Sequence, residues 1–162
     1  MLIRVEKVKE DEFELIFPMV KNALFPYVDA VYGWNDEFQQ ARLRNDYEPA
    51  WYHWLYDGDD RVGMVCFKYL GSFLEPSSDS ALERSLHLHL VIILPEYQGR
   101  GLGAEVMNHL GQLARQNTCN KITLSCFIEN QRAVKFYQTL GYQIILEEEH
   151  FFSFELDVNA SA

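Results

Sequence analysis

The stretch Pro95-Glu96-Tyr97-Gln98-Gly99-Arg100-Gly101-Leu102-Gly103 joins an apolar run to a helical pattern. The apolar run at residues 86–94 predicts a strand, because it is short and bounded by turn residues. The helical pattern consists of apolar residues at the spacing of one helix face: Leu102, Val106, Leu110 and Leu113. Three glycines therefore stand at a strand-to-helix turn, where backbone N–H groups can approach a ligand and the helix dipole favours negative charge. The stretch predicts a binding loop for a pyrophosphate.

Two other phosphate-binding motifs fit this turn less well. Residues 99–104 satisfy the dinucleotide fingerprint G-x-G-x-x-G/A, but that motif also needs an acidic residue about 20 positions later at a strand end. The nearest suitable strand end carries Ser125 and Cys126, and the first acidic residue beyond it is Glu129. A triphosphate loop is excluded because the sequence contains no G-K-[ST].

Apolar periodicity and turn residues predict both strands and helices along the chain. In order, they are a strand at 2–8, helices at 11–24 and 36–45, a hairpin at 51–56 and 61–70, a strand at 86–94, a helix at 101–116, a strand at 121–127, a helix at 131–140 and strands at 142–148 and 151–157. Phe25 and Pro26 are expected to end the first helix, since proline interrupts helical hydrogen bonding. Residues 71–85 are predicted to form a polar loop.

Residues downstream of the glycine stretch make its interpretation more specific. The pattern Q-x-x-G-x-G at 98–103 is followed by Asn130, Tyr137 and Gly141-Tyr142. In this combination the chain resembles the GNAT superfamily of N-acetyltransferases. The resemblance covers essentially the whole chain in its order of elements, with its specific residues at 91–142. It implies an α+β fold in three α/β/α layers, with a mixed, mostly antiparallel sheet, splayed central strands and helices on both faces.

The resemblance also implies binding of acetyl-CoA, with the thioester arm between the splayed fourth and fifth strands. Backbone groups left unpaired there can bind the pantetheine amides as a neighbouring strand would. The resemblance implies that the following residues contact the cofactor: Val91, Ile92, Ile93, Gln98, Gly99, Arg100, Gly101, Leu102, Gly103, Ala104, Asn130 and Tyr137. A solvated loop position explains Arg100 equally well, and a helix cap explains Asn130.

Tyr137 is the predicted catalytic residue, because it lies seven positions after Asn130 on the last helix, where the family places its proton donor. A phenol aimed at the sulfur can stabilise the departing thiolate by proton transfer or by hydrogen bonding. On periodicity alone, a core tyrosine is the simpler explanation, since Tyr137 shares helical spacing with Ala133, Phe136 and Leu140.

A base is expected as well, because an ordinary alkylamine with a pKa near ~10.4 is charged at neutral pH. Neither central strand carries Asp or Glu, so the chain departs from relatives that place a carboxylate there. His87 is the predicted base, since imidazole titrates near neutral pH and the residue lies near where some relatives carry a catalytic glutamate. A hydrogen-bonded or exposed strand face explains His87 and His89 too, and a water chain to Glu129 or His150 is a further alternative.

Acceptor binding is expected in the N-terminal helices and the final hairpin, because the glycine half of the chain serves the donor. A cation could be enclosed there by aromatic ring faces and interleaved carboxylates, which are those of Phe25, Tyr27, Tyr32 and Trp34 and of Asp29 and Asp36. Packing of these aromatic rings onto the sheet is the other explanation.

Composition limits the classes of binding partner and the cellular location that we expect. A net charge of −10 and a pI near 4.9 argue against nucleic-acid and membrane binding and favour an amine partner. The length of 162 residues and the hydrophobic fraction of 48% predict one domain over residues 1–162. Because no apolar run resembles a signal peptide or a membrane span, a cytoplasmic protein is expected, and a homodimer is considered. The three cysteines lack metal-ligand spacing, so free thiols and no bound metal are expected.

The resemblance therefore implies an enzyme that moves acetyl from acetyl-CoA directly to a primary amine of a small molecule or peptide. Cys126 lies on the apolar face of its strand without an evident activating histidine, so no covalent enzyme intermediate is expected. Transfer of a different acyl group is one alternative. A non-catalytic module that binds CoA or acyl-CoA is the other.

Overall fold

The computed structural model describes residues 2–71 and 84–159 of the chain. The strands of this part are β1 (Ile3–Lys7), β2 (Tyr52–Asp57), β3 (Asp60–Leu70), β4 (Ser85–Ile93), β5 (Lys121–Phe127), β6 (Gln143–Glu147) and β7 (Phe151–Asp157). Its α-helices are α1 (Ile16–Tyr32), α2 (Asp36–Asn45), α3 (Leu102–Gln116) and α4 (Gln131–Thr139). Short 3-10 helices precede α1, β2 and the glycine stretch: Glu10–Leu15, Pro49–Trp51 and Pro95–Tyr97.

The strands form one open sheet in the order β1-β2-β3-β4-β5-β7-β6. The pairs β1–β2, β2–β3, β5–β7 and β6–β7 are antiparallel, and β4–β5 is parallel. A mixed, largely antiparallel sheet with helices confirms the expected fold class. The register of β4 with β5 runs from Ser85 opposite Lys121 to Leu88 opposite Leu124, although both strands continue beyond these residues.

The chain divides into two compact units. The first unit comprises the residues up to Cys66 together with Leu90–Gly103. The second unit comprises the described residues of Phe67–His89 and those from Ala104 onward.

The first unit has its own apolar core. Its buried residues are Phe13, Ile16, Val20, Leu43, Tyr52, Trp54, Met64, Cys66 and Ile92. At the edge of this core the Glu12 carboxylate accepts hydrogen bonds from Trp54 Nε1 (3.1 Å) and Arg61 Nη2 (3.0 Å). The Arg61 guanidinium also lies 3.9 Å from the centre of the Trp54 ring. This cluster ties the first 3-10 helix to β2 and β3.

The core of the second unit is built from one face of α3 and the inward side chains of β4, β5 and β7. Fully buried examples are Leu86, Val106, Leu110, Ala114, Ile122 and Phe154. The predicted positions Leu102, Val106 and Leu110 of α3 are buried, but Leu113 is only partly buried and Ala114 beside it is fully buried.

The predicted end of the first helix at Phe25 and Pro26 is wrong. The chain forms a 3-10 helix first and then α1, which contains Pro26 and ends before Gly33, where φ is 76°. An interior proline costs a helix about 3 kcal/mol. The helix continues because the residues after Pro26 are still used in packing, with Val28 only 3% exposed. As a result Tyr27 and Tyr32 lie on a helix and not in a loop.

Other predicted elements agree closely with the structure. Helix α2 and strand β5 have the predicted bounds, and β2 and β3 form a hairpin around Gly58, which has a φ of 61°. Of the predicted polar loop at 71–85, residues 72–83 lie outside the described residues. Within the described ranges, every helix is too short or too polar to cross a membrane.

Candidate functional site

The glycine stretch forms the turn between β4 and α3, as predicted. Gly99 and Gly101 both have a φ of 79°, a backbone conformation that side chains with a Cβ rarely adopt. A Cβ added at Gly99 would meet no atom within 4 Å, so this glycine is needed for its backbone angle and not for lack of space. The turn leads directly into the first residues of α3, whose N–H groups have no partner within the helix. Such a turn can bind an anion through backbone amides.

Two polar side chains of the stretch fold back onto its backbone. Gln98 Nε2 donates a hydrogen bond to the Ile93 carbonyl oxygen at 2.8 Å, which fixes the path of the chain as it leaves β4. Arg100 donates to the Glu96 carbonyl oxygen at 3.3 Å, and its guanidinium lies 5.5 Å from the centre of the Tyr97 ring. Gln98 therefore has a structural role whether or not it also touches a ligand.

Strand β4 approaches β3 unusually closely at Gly63. A Cβ built on Gly63 would lie 1.9 Å from the Ile92 carbonyl oxygen, so no other residue fits without movement of the backbone. Two residues further on, the Leu94 N–H donates to the Val62 carbonyl oxygen at 2.8 Å. The register between β2 and β3 also shifts here, because Leu55 pairs with Gly63 whereas Tyr56 pairs with Arg61. Gly63 is not among the predicted site residues, although an isolated glycine in a strand signals a close backbone approach.

The predicted aromatic cage contains a cation from the protein itself. Lys21 Nζ lies 2.8 Å from the Asp36 carboxylate and 6.0 Å from the centre of the Trp34 ring. Trp34 Nε1 donates to the same carboxylate at 2.6 Å, and the Trp34 N–H donates to Asp29 at 3.0 Å. Hydrogen bonds from Lys21 and Trp34 hold the pKa of the Asp36 carboxyl below its usual range. The spacing of the aromatic residues gave no hint of Lys21, which lies on α1.

The other predicted acceptor residues differ in exposure. Tyr32, near the end of α1, is 62% exposed, whereas Tyr27 is partly buried. Phe25 packs on Trp34, with ring centres 5.5 Å apart. This corner of the first unit therefore combines ring packing with exposed aromatic surface.

In the second unit, His87 and His89 lie on the same side of β4, as their spacing predicted, with ring centres 4.7 Å apart. His87 Nδ1 lies 2.7 Å from the hydroxyl of Thr123, the residue directly opposite on β5. Burial, with a smaller contribution from the Lys68 charge, lowers the pKa of His87. The imidazole is therefore neutral at pH 7 and can accept a proton.

Tyr137 lies in the core of the second unit and is 7% exposed. Its ring contacts those of Phe136, Tyr142 and Phe154, with centres 5.2, 5.6 and 5.7 Å away. Burial, and to a smaller extent Cys126, raises the pKa of the Tyr137 phenol. Burial also raises the pKa of the Cys126 thiol to about 11, which makes it a poor nucleophile at neutral pH.

Asn130 caps α4 as predicted, since its side-chain oxygen accepts a hydrogen bond from the Ala133 N–H at 3.2 Å. At the other end of α4 the chain turns at Gly141, which has a φ of 97°. These two ends set the position of Tyr137 on the helix.

The predicted site residues are thus divided between the two units. Tyr27, Tyr32, Trp34 and residues 91–93 and 98–103 belong to the first, and His87, Ala104, Asn130 and Tyr137 belong to the second. Among the described residues there is no group of three or more His, Cys, Asp or Glu side chains arranged to hold a metal ion.

The described residues place a strand, a glycine turn with two positive φ angles and a helix in succession within a mixed sheet, which is the architecture of an α/β binding fold. The family model for the acetyltransferase (GNAT) family matches residues 15–142. The chain therefore belongs to the acetyltransferase (GNAT) family, which confirms the resemblance inferred from the motifs.

Individual relatives share part or all of the chain. It is similar to the spermine/spermidine N(1)-acetyltransferase of Bacillus subtilis (strain 168), with 29% identity over 98% of this chain and 94% of that protein. It is also similar to the thialysine N-epsilon-acetyltransferase of Sus scrofa, with 30% identity over 48% of this chain. That match covers 45% of the pig protein, so the chain spans less than half of that relative's length.

Solved structures agree in fold. The PaiA N-acetyltransferase of Thermoplasma acidophilum, in complex with coenzyme A, superposes with a TM-score of 0.68 at 12% identity, covering 97% of this chain and 99% of that one. The Arabidopsis thaliana NAA60, in complex with a bisubstrate analogue, superposes with a TM-score of 0.66 at 12% identity, covering 97% and 99%. These likenesses concern the fold alone.

Proposed function

We propose that the protein is an acetyl-CoA-dependent N-acetyltransferase that acetylates a primary amine of a small molecule or peptide. The observation that carries the proposal is the β4–α3 turn, where Gly99 and Gly101 adopt left-handed backbone angles in a chain of the acetyltransferase family. The amine acceptors named for the relatives from Bacillus subtilis and Sus scrofa support the acceptor class.

The donor is proposed to bind through backbone groups. The amides of residues 99–104 are well suited to the pyrophosphate, because they combine positive-φ glycines with a helix N-terminus. At the end of β4, the Ile92 carbonyl and the N–H of the following Leu94 are directed toward β3, and the Gln98 side chain hydrogen-bonds the Ile93 carbonyl. Because backbone groups alternate in direction along a strand, we infer that the Val91 backbone and the Ile93 N–H hold the pantetheine arm.

Transfer is proposed to occur by direct attack of the amine on the thioester carbonyl. The raised pKa of the Cys126 thiol supports this route over one with an acyl-cysteine. Tyr137 is proposed to stabilise the departing thiolate with its hydroxyl. Because burial raises the pKa of this hydroxyl, it keeps its proton at neutral pH and can act as a donor.

His87 is proposed to take the proton from the amine, directly or through water. Its Nδ1 is engaged with Thr123, so the acceptor atom must be Nε2. This assignment requires the tautomer in which Nδ1 carries hydrogen and donates to the Thr123 hydroxyl. Thr123 would then fix both the orientation and the tautomer of the base.

The acceptor is proposed to approach through the aromatic corner that includes Tyr27, Tyr32 and Trp34. The Lys21 ammonium already neutralises Asp36, so a second cationic group of an acceptor must displace Lys21 or use Tyr32 and its neighbours instead. A single domain over residues 1–162, a cytoplasmic location and a homodimer stay predictions from the sequence.

The role of Tyr137 provides a test of the proposal. Tyr137→Phe keeps the packed ring and removes the hydroxyl, so turnover should fall by about 100-fold with little change in CoA affinity. Turnover is measured as thiol release at saturating amine, and affinity by calorimetry with free CoA. An unaltered turnover number, under conditions where chemistry limits the rate, would return Tyr137 to a purely structural role.

A further inference from the structure

The second unit contains a buried phenol that its own fold leaves unsatisfied. Tyr142 is 3% exposed, and its hydroxyl has no hydrogen-bond partner among residues 2–71 and 84–159. Tyr52 in the first unit is also buried, but its hydroxyl does have a partner, because it donates to the Leu43 carbonyl oxygen at 2.9 Å. A buried polar group without a partner costs about 1–3 kcal/mol. Phenylalanine at position 142 would fill the same space without that cost.

The surroundings of Tyr142 point to where its hydroxyl is used. Its ring packs against the ring of Tyr137, with centres 5.6 Å apart and planes at 63°. Burial is the main cause that raises the pKa of Tyr142, and the neighbouring Tyr137 raises it further. Among the described residues, the titratable group that acts on the pKa of Tyr137 in this way is Cys126, whose thiol is neutral at pH 7.

The proposed chemistry at Tyr137 needs help of the kind a neighbouring phenol can give. An ordinary phenol has a pKa of about 10 and a thiol one of about 8.5, so proton donation to a thiolate is uphill by roughly 2 kcal/mol even in water. Burial of Tyr137 raises its pKa and makes the step more unfavourable. A hydrogen bond donated to the phenol oxygen favours the charged form and offsets part of this barrier.

We propose that Tyr142 is a positioning residue for Tyr137: its hydroxyl, which makes no direct hydrogen bond to Tyr137 in the structure, donates through one water to the Tyr137 oxygen while Tyr137 protonates the leaving sulfur. The inference rests on the proposed function. In the step, the amine nitrogen forms a bond to the acetyl carbon and the carbon–sulfur bond breaks, with its electron pair passing to sulfur. Tyr137 gives its hydroxyl proton to that sulfur. It regains a proton through water from the one that the amine released.

The test is a double-mutant cycle on Tyr137 and Tyr142, with Tyr52→Phe as a matched control for a buried tyrosine. Tyr142→Phe should lower the turnover number by about 3- to 30-fold with an unchanged KM for acetyl-CoA, and its Tm should equal or exceed that of the wild type. In a Tyr137→Phe background, Tyr142→Phe should cause no further loss, because its partner is already absent. Tyr52→Phe should lower Tm, since it leaves the Leu43 carbonyl without its donor, and should keep the wild-type turnover number.

Three results would overturn the inference. These are a wild-type turnover number in Tyr142→Phe, an equal loss in the presence and absence of the Tyr137 hydroxyl, or a fall in Tm as large as that of Tyr52→Phe. Each of them leaves the proposed function standing if Tyr137→Phe alone is impaired. Absence of acetyl transfer by the wild-type protein would instead overturn the proposed function, and the role of Tyr142 with it.

Discussion

Replacing Gly63 by alanine should displace β4 and thereby impair both stability and acetyl transfer. The new Cβ would lie 1.9 Å from the Ile92 carbonyl oxygen, 3.0 Å from its carbon and 3.1 Å from Ile93 Cα. Since carbon–oxygen contacts lie at about 3.3 Å or beyond, the two strands would have to move apart by about 1.4 Å. All three atoms belong to backbone, so no side-chain rotation can relieve the overlap.

The size of both effects follows from this displacement. Overpacking of this kind costs about 1–3 kcal/mol. In a chain of this size, 1 kcal/mol corresponds to roughly 2–4 °C, so Tm should fall by about 2–12 °C. The moved backbone includes the β4 residues proposed to hold the donor. A misplacement of about 1 Å can cost 100-fold in rate, and kcat/KM for acetyl-CoA should fall by about that factor.

Gly111→Ala provides the matched control. Gly111 lies within α3, and a Cβ there would have Arg115 Nη1 as its nearest neighbour at 3.7 Å, an ordinary contact with the end of a flexible side chain. This change should leave kcat/KM unchanged and stabilise the helix by about 0.5–1 kcal/mol. Thermal unfolding and thiol release are measured for both variants. A wild-type Tm in Gly63→Ala would refute the close approach of β3 and β4, and a lower Tm with wild-type kcat/KM would refute the role of β4 in holding the donor.

Three further predictions concern the loop, the base and the pH dependence. Gly101→Val forces a β-branched residue to a φ of 79°. The affinities for CoA and acetyl-CoA, measured by calorimetry, should therefore fall together by at least about 10-fold. Unchanged affinity in a folded variant would refute the assignment of this turn to the pyrophosphate. His87→Ala should lower the turnover number by about 100-fold at pH 7, and the turnover number of this variant should recover partly at higher pH. His89→Ala should have a smaller effect. A pH–rate profile of His87→Ala parallel to that of the wild type would exclude His87 as the base. Burial lowers the pKa of both His53 and His87 in the folded protein, so the unfolded state binds more protons at acidic pH. The stability that the two neutral histidines contribute is therefore fully present above pH ~6.5, the ordinary pKa of histidine, and is lost as the pH falls through their lower pKa values in the folded state. A Tm that stays constant from pH 7.5 to pH 5.5 would contradict this sign.

The sequence predicted correctly the helices whose ends are marked by residues at the ends themselves. Asn35 caps α2 by accepting a hydrogen bond from the Phe38 N–H at 2.8 Å, and the sequence shows this residue just before the helix. The end of α1 could not be predicted in the same way. Pro26 is a strong local signal against a helix, but the burial of Val28 beyond it is a tertiary effect.

The candidate site also has one part that the sequence predicted and another that it did not. The glycine turn was predictable because positive φ angles restrict residue type at the positions themselves. The neighbours that define the chemistry were not, because they lie far away in sequence. Thr123 meets His87 from the adjacent strand, and Lys21 meets Trp34 from an earlier helix turn. The unsatisfied hydroxyl of Tyr142 depends on packing that no spacing reveals.

The proposed function requires that the protein transfers acetyl to an amine and does not merely bind a CoA ester. The most direct measurement follows thiol release from acetyl-CoA in the presence of a panel of primary amines, including polyamines, lysine analogues and short peptides, with the mass of each acceptor determined in parallel. An N-acetyltransferase activity predicts amine-dependent thiol release with an acceptor mass increased by one acetyl group, and strong attenuation of both in Tyr137→Phe. Tight binding of acetyl-CoA with no amine-dependent thiol release, across the whole panel, would contradict it.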